Sequence, residues 1–374
     1  MLENIYISRH GFRSNWVDSS ITTSVTGMSR DPPLASHGLD QAQELAEFLS
    51  NPPAEEGLPV PELLFSSPFF RCIQTGTFLA QKLGIPLKLE HGVQEWYSQV
   101  LPDTGLHPRP GHAEHLKQFF PESVLDEQYR STVYASRSGE SVSELQARCD
   151  LFVDAFINRI EAEYPDVKTI VIFAHAASVI ALGRSFTGDK SKEIRAGCAT
   201  TSYYKRKAPS RSDNATELAP TSQSGMNGTE SDSAVASLGE KETKPKQENS
   251  GENHGGVGCW DCVWSGRASY LSHGEERNWG FQDIILNDEG HVISDRGDGH
   301  PVKPGDDQPI GLAPGMEKYL KREDIYSPLM RGTAHTGQDV ERAVLNVTAE
   351  PDAQNGRPGA PQRRASGAMI ESRM

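Results

Sequence analysis

Asn4–Ser8 (NIYIS) is a short β-rich run that breaks off in the polar turn Arg9-His10-Gly11, so a strand is expected to deliver Arg9 and His10 at its carboxyl end. In an open α/β sheet that edge is where ligands bind. The pattern of apolar run and polar turn recurs twice. Leu63–Ser66 (LLFS) leads into Ser67-Pro68, with Arg71 near the start of a helix expected over residues 69–83 and ended by Gly84. Thr169–Ala174 (TIVIFA), apolar enough to lie centrally in a parallel sheet, is followed directly by His175.

Helical periodicity fills the intervals. Leu39, Ala42, Leu45, Ala46 and Leu49 recur at spacings of three and four, with Ser36 as the expected N-cap and Pro52-Pro53 as the stop. Residues 141–164 read as a long amphipathic helix and 176–186 as another, while Ile85–Leu89 and Ala199–Tyr204 read as further strands. Alternation of this kind predicts an α/β fold: a three-layer sandwich with a mainly parallel central sheet and helices on both faces.

The chain of 374 residues is only 36% hydrophobic and rich in Gly and Pro, which fits one packed domain plus disordered segments. Residues 1–290 are assigned to that domain. A Ser, Thr, Glu, Asn, Gly and Lys stretch over 206–256 has the composition of a disordered loop, and 291–374 reads as a largely disordered tail with a short helix around Asp339–Leu345. Residues 98–136 are a long irregular insertion, read as a candidate lid. Five cysteines do not suggest a disulfide framework, and neither a leader nor a membrane-spanning run is seen. The expected location is therefore cytoplasmic or nuclear, with no membrane partner. A net charge of -14 argues against a general nucleic-acid surface.

Three strand ends thus offer two guanidinium and two imidazole groups from distant parts of the sequence: Arg9-His10, Arg71 and His175. Arg presents a rigid fork to two phosphate oxygens at once, and a neutral His can act as nucleophile in phosphoryl transfer.

Those motifs, in that order, resemble the histidine phosphatase superfamily. The resemblance implies a phosphoglycerate-mutase-like fold in which His10 is phosphorylated while Arg9, Arg71 and His175 hold the phosphate. Pro33-Leu34 with Gly38 and Gln41-Ala42, and Gly139-Glu140-Ser141 with Arg148, match family segments before two of its helices. Ala176 stands where the acid phosphatase branch carries Asp, so the proton donor is sought after the third strand. Gly92-Val93-Gln94-Glu95-Trp96 is similar to the family's Gly-Leu-x-Glu-Trp form, which makes Glu95 the expected acid and base, with Glu90 as fallback.

Arg13, completing Arg-His-Gly-x-Arg and expected to bind phosphate, joins Trp260, Leu271-Ser272-His273-Gly274 and Asn278-Trp279 in a narrower resemblance. It points to the phosphatase domain of the ubiquitin-associated and SH3-containing tyrosine phosphatases. The opening motif is also similar to the histidine-phosphatase subunit of fungal TFIIIC.

Two functions follow. One is a phosphomonoesterase for a phosphorylated small molecule or phosphoprotein; the other is a noncatalytic subunit of a protein complex such as TFIIIC. No cofactor or metal is called for. Cys259 and Cys262 read as structural, because a zinc site needs four ligands. His107, His112 and His115 read as loop histidines, Lys205-Arg206-Lys207 as a solvated strand end, and Trp260, Trp264 and Trp279 as packing residues.

Overall fold

Alternate residues of the central strands face opposite ways, and they sort the core into two halves. In the computed structural model, β1 (Asn4–Arg9), β2 (Leu63–Ser66), β3 (Leu87–Leu89), β5 (Thr169–Ala174), β6 (Thr201–Arg206) and β7 (Trp260–Arg267) form one sheet in the order β3-β2-β5-β1-β6-β7. The first four run parallel, and β6 and β7 are antiparallel. Ile5, Ile7, Ile170 and Ile172 point to a layer made by α4 (Val142–Glu163) and α5 (Ala176–Thr187). Tyr6, Leu64, Val171 and Phe173 point to α1 (Ser36–Ser50) and α2 (Phe70–Leu83). The period of two along each strand thus yields the expected three layers, with β5 at the centre.

The structure describes residues 1–208, 256–286, 292–322 and 325, all within the compact unit Met1–Thr333. Most of the expected loop at 206–256, and the helix expected around Asp339–Leu345, lie outside the described residues. Residues 292–322, assigned from composition to the tail, run back across the insertion. There β8 (Gly311–Leu312) pairs with β4 (Val133–Tyr134), and Asp154 of α4 accepts from the backbone N–H groups of Lys321 and Arg322. A two-residue strand has no periodicity to read, so composition could not reveal it.

Two local readings change. Ala35, not Ser36, is the extended residue before α1, and Ser36 is already helical. Arg206 is fastened rather than solvated: it donates to Leu2 O, pairs with Glu161 and lies over the Trp260 ring. Cys72, Cys149 and Cys198 are buried thiols, and Cys259 and Cys262 pack at the margin of the core.

Register fixes what the strand ends present. Arg9 pairs with Ala174 and Ser66 with Phe173, so Arg9-His10, Ser67 and His175 emerge side by side from β1, β2 and β5. Gly11 and Gly38 then meet backbone to backbone: a Cβ on Gly38 would sit 2.1 Å from Phe12 O, and one on Gly11 2.5 Å from Gly38 O. Only glycine lets the start of α1 come this close to the turn carrying His10.

Candidate active site

His10 is buried, and its Nδ1 lies 2.8 Å from the carbonyl oxygen of Gly11. A carbonyl can only accept, so Nδ1 carries the proton and Nε2 keeps its lone pair. Burial first, then Arg71, Arg9, His175 and Arg13, hold the His10 pKa well below the ordinary histidine value. The imidazole is therefore neutral at physiological pH, the form a nucleophile needs.

Around it stand cations with prior commitments. One Arg9 nitrogen donates to Ala196 O at 2.6 Å and Arg277 O at 2.5 Å, anchoring a guanidinium by backbone carbonyls far away in sequence. Arg71 is fully enclosed at the start of α2. Its Nη1 donates to Asp31 Oδ1 at 2.8 Å, and its Nη2 reaches Glu95 Oε2 at 2.9 Å and His175 Nδ1 at 3.0 Å. Burial works against the Arg71 charge, but Asp31 and Glu95 more than offset it and raise its pKa. Arg13 stacks on Trp16 at 4.3 Å and shares a cleft of about 240 Å³ with Arg71, Glu95, Arg30 and Tyr97. Burial pushes the Arg13 pKa down to about 10, still a cation at neutral pH.

His175 makes a T-shaped contact with His10 at 5.5 Å between ring centres, and its Nε2 lies 2.8 Å from Ser67 Oγ. Burial lowers its pKa to about 4 despite the neighbouring Glu95. For Glu95, burial opposes ionisation, but His175, Arg71 and Arg13 hold the carboxyl well below its usual range. The Glu95 loop is pinned on three sides. Arg148, paired in the core with Glu140, donates to Gly92 O at 2.6 Å; Ser178 donates to Gln94 O at 2.6 Å; Trp96 Nε1 donates to Glu140 O at 2.8 Å. Ser141 caps α4 in a capping box with Glu144, fixing the helix that carries Arg148.

Glu90 sits elsewhere. Its buried carboxylate takes hydrogen bonds from Tyr129 and from the backbone and hydroxyl of Thr132, with Arg159 at 3.9 Å. It braces the insertion against α4. His107, His112 and His115 do not converge: His107 stacks on Tyr97, His112 lies against His91 and Tyr134, and His115 lines a separate groove. Among the described residues, His10, Glu95 and His175 alone bring three potential metal-ligand atoms within 4.8 Å of one another. With Arg9, Arg13 and Arg71 around them, the pocket suits an anion better than a dication.

Asp31 and Ser67 are pocket neighbours not singled out from the sequence: Ser67 is legible there only within the turn motif leading to Arg71, and nothing in the spacing of Asp31 announces an acid buried against Arg71.

The family model described as histidine phosphatase superfamily (branch 1) matches residues 5–210. The transcription factor tau 55 kDa subunit of Saccharomyces cerevisiae is 33% identical over 295 residues, 76% of this chain and 60% of that protein. The human ubiquitin-associated and SH3 domain-containing protein A is 26% identical over 192 residues, 50% of this chain and 27% of that protein. The chain therefore spans about three fifths of the first relative and about a quarter of the second. Among solved structures, ecdysone phosphate phosphatase of Bombix mori in complex with tungstate is similar at 16% identity and a TM-score of 0.42, over 54% of this chain and 89% of that one. A mycobacterial glucosyl-3-phosphoglycerate phosphatase is similar at 19% identity and a TM-score of 0.36, over 55% and 92%.

Proposed function

As the chain belongs to the histidine phosphatase superfamily, branch 1, we propose that it hydrolyses a phosphate monoester through a phosphohistidine on His10, with Glu95 as general acid and base. One observation carries this reading: the Gly11 carbonyl holds the proton on Nδ1, leaving a neutral Nε2 beside three guanidinium groups.

The scissile phosphate sits among Arg9, Arg13 and Arg71, which stabilise its non-bridging oxygens as charge shifts in the transition state. Nε2 of His10 forms a bond to phosphorus while the bond from phosphorus to the ester oxygen breaks, and Glu95 gives its proton to the departing alkoxide. Water then attacks the phosphohistidine, the phosphorus–nitrogen bond breaks, and Glu95 takes the water's proton. In the unliganded pocket Glu95 is ionised. An arriving phosphate pairs with the cations that hold the Glu95 pKa down, so substrate binding raises its proton affinity and the substrate monoanion supplies the proton. His175 responds in the same direction and gains positive character beside the bound anion.

A second reading rests on the yeast relative, whose name describes a subunit of a transcription factor. By that likeness the chain also assembles into a multi-subunit complex in the nucleus, with the fold as a docking surface. Among the described residues, no helix is long and apolar enough to cross a membrane.

Turnover of p-nitrophenyl phosphate by wild type, lost in His10→Ala, is the expected result, together with an acid-labile, base-stable labelled phosphoenzyme. Equal and negligible rates for the two proteins would leave the docking role alone, and affinity purification from the native host tests that role directly.

A further inference from the structure

Arg30 holds a backbone conformation that arginine rarely adopts, with φ at +61°. Two features of the phosphate pocket depend on that turn. It directs the Arg30 carbonyl toward Arg71 Nη1, at 3.4 Å, and it sets the next residue, Asp31, with one carboxylate oxygen 2.8 Å from the same Nη1 and the other 2.7 Å from the backbone N–H of Phe70. Asp31 is 1% exposed, so this pair is closed off from water. With Nη1 committed to Asp31 and Nη2 to Glu95 and His175, the enclosed Arg71 Nε–H is left without a partner. The Asp31 contact therefore decides the angle at which the Arg71 fork meets the phosphate.

The Arg30 side chain is held from an unexpected quarter. Its guanidinium forms a two-pronged pair with Asp295, with Nη2 to Oδ1 at 2.9 Å, and also donates to Arg296 O at 2.7 Å. Asp295 is itself fixed to the insertion: its N–H donates to Gln99 O at 3.1 Å, and its carbonyl accepts from Leu101 N–H at 2.8 Å. Asp295 lies far beyond residue 210, where the family match ends.

We infer that Asp295, Arg30 and Asp31 are positioning residues for Arg71: the segment around Asp295 clamps the strained Arg30 turn, and through it sets the affinity of the pocket for the phosphoryl group. Neither Asp31 nor Asp295 lines the cleft, which Arg30 does. The inference rests on the phosphate-pocket reading above, and its test separates the two.

Full-length protein and the variants Asp295→Ala, Arg30→Gly and Asp31→Asn are titrated with inorganic phosphate by calorimetry and assayed with p-nitrophenyl phosphate. Removing the partly exposed Asp295 partner is expected to raise the phosphate Kd and the KM by about fivefold, as for an ion pair of about 1 kcal/mol, while kcat holds. Asp295→Glu, which keeps the charge, recovers most of that loss. Arg30→Gly is the sharper variant, because glycine tolerates positive φ: its melting temperature holds or rises while phosphate affinity falls as in Asp295→Ala. Asp31→Asn loses about tenfold or more, since it removes one of the two counter-charges of a buried guanidinium. Unchanged Kd and KM in Asp295→Ala and Arg30→Gly, in a protein whose wild type binds phosphate, overturn the inference. So does a loss of melting temperature with no change in affinity. If wild type binds no phosphate, the pocket reading itself fails and takes this one with it.

Discussion

On one side of the cleft, Arg9, His10, Ser67, Arg71 and His175 stand at the ends of β1, β2 and β5 or in the first turn of α2, locked by sheet register and buried hydrogen bonds. Away from these strand ends, residues 98–138 and 292–322 make a wall with little regular structure. Polar contacts hold it: Asp307 accepts from Ser136, Ser138 and the Arg137 backbone, and Asp298 from the backbones of Leu106 and His300. The first side is suited to chemistry that tolerates no misplacement. The second can vary in sequence without disturbing the sheet, and under the proposed phosphatase reading it is the candidate source of substrate selectivity.

That contrast can be broken most severely at the strand ends. His10→Ala is expected to lower kcat by at least about a thousandfold, measured with p-nitrophenyl phosphate, because the nucleophile has no substitute. Glu95→Gln should cost about a hundred- to ten-thousandfold in kcat, and less with a leaving group that departs without a proton. A flat response to leaving-group acidity would remove Glu95 from the acid role.

Glu90→Ala should show the opposite profile. It leaves the Tyr129 and Thr132 hydroxyls and the Thr132 N–H without their acceptor in the core, for a loss of about 2–4 kcal/mol in denaturant unfolding, while kcat of the folded fraction stays near wild type. Acid should act on the fold through its buried histidines. His175 and His91 are buried with pKa values lowered to about 4 and about 3, and His10 is lowered as well. The unfolded chain takes up protons at these positions below about pH 6.5 while the folded one resists, so stability falls as pH drops from there towards 4, by up to about 1.4 kcal/mol per unit per histidine. Above pH 7 these groups should add no slope. The smallest effect belongs to the wall: Asp307→Ala removes side-chain and backbone partners at half-exposed positions, for about 1–3 kcal/mol in stability. If it instead lowered kcat as much as Glu95→Gln, the division between the two sides would be false.

The same division explains what could be read from the sequence. Strand ends were legible because an apolar run that stops at a polar turn has one physical meaning, and β1, β2 and β5 lie within a residue or so of their expected places. Glu90 and Glu95 could not be separated by spacing, since both follow β3; what distinguishes them is Tyr129, Thr132 and Arg159, contributed by an irregular insertion and a distant helix. Asp31 was hidden because its burial comes from a turn with positive φ at an arginine, a conformation no local propensity favours. The 292–322 segment was hidden because Gly, Pro and Asp dominate it, and it is held by backbone and carboxylate hydrogen bonds rather than an apolar stripe.

Arg9 has a consequence for how the protein is made. Its guanidinium is held by carbonyls at positions 196 and 277, so Arg9 leaves the ribosome well ahead of two partners that follow nearly 190 and 270 positions later. The central strands can pair once β5 has emerged, yet the anion pocket cannot close until Arg277 is out. A nascent chain therefore passes through a stage with a built sheet and an unfinished pocket, ended by a long loop closure that brings the Arg277 carbonyl to Arg9.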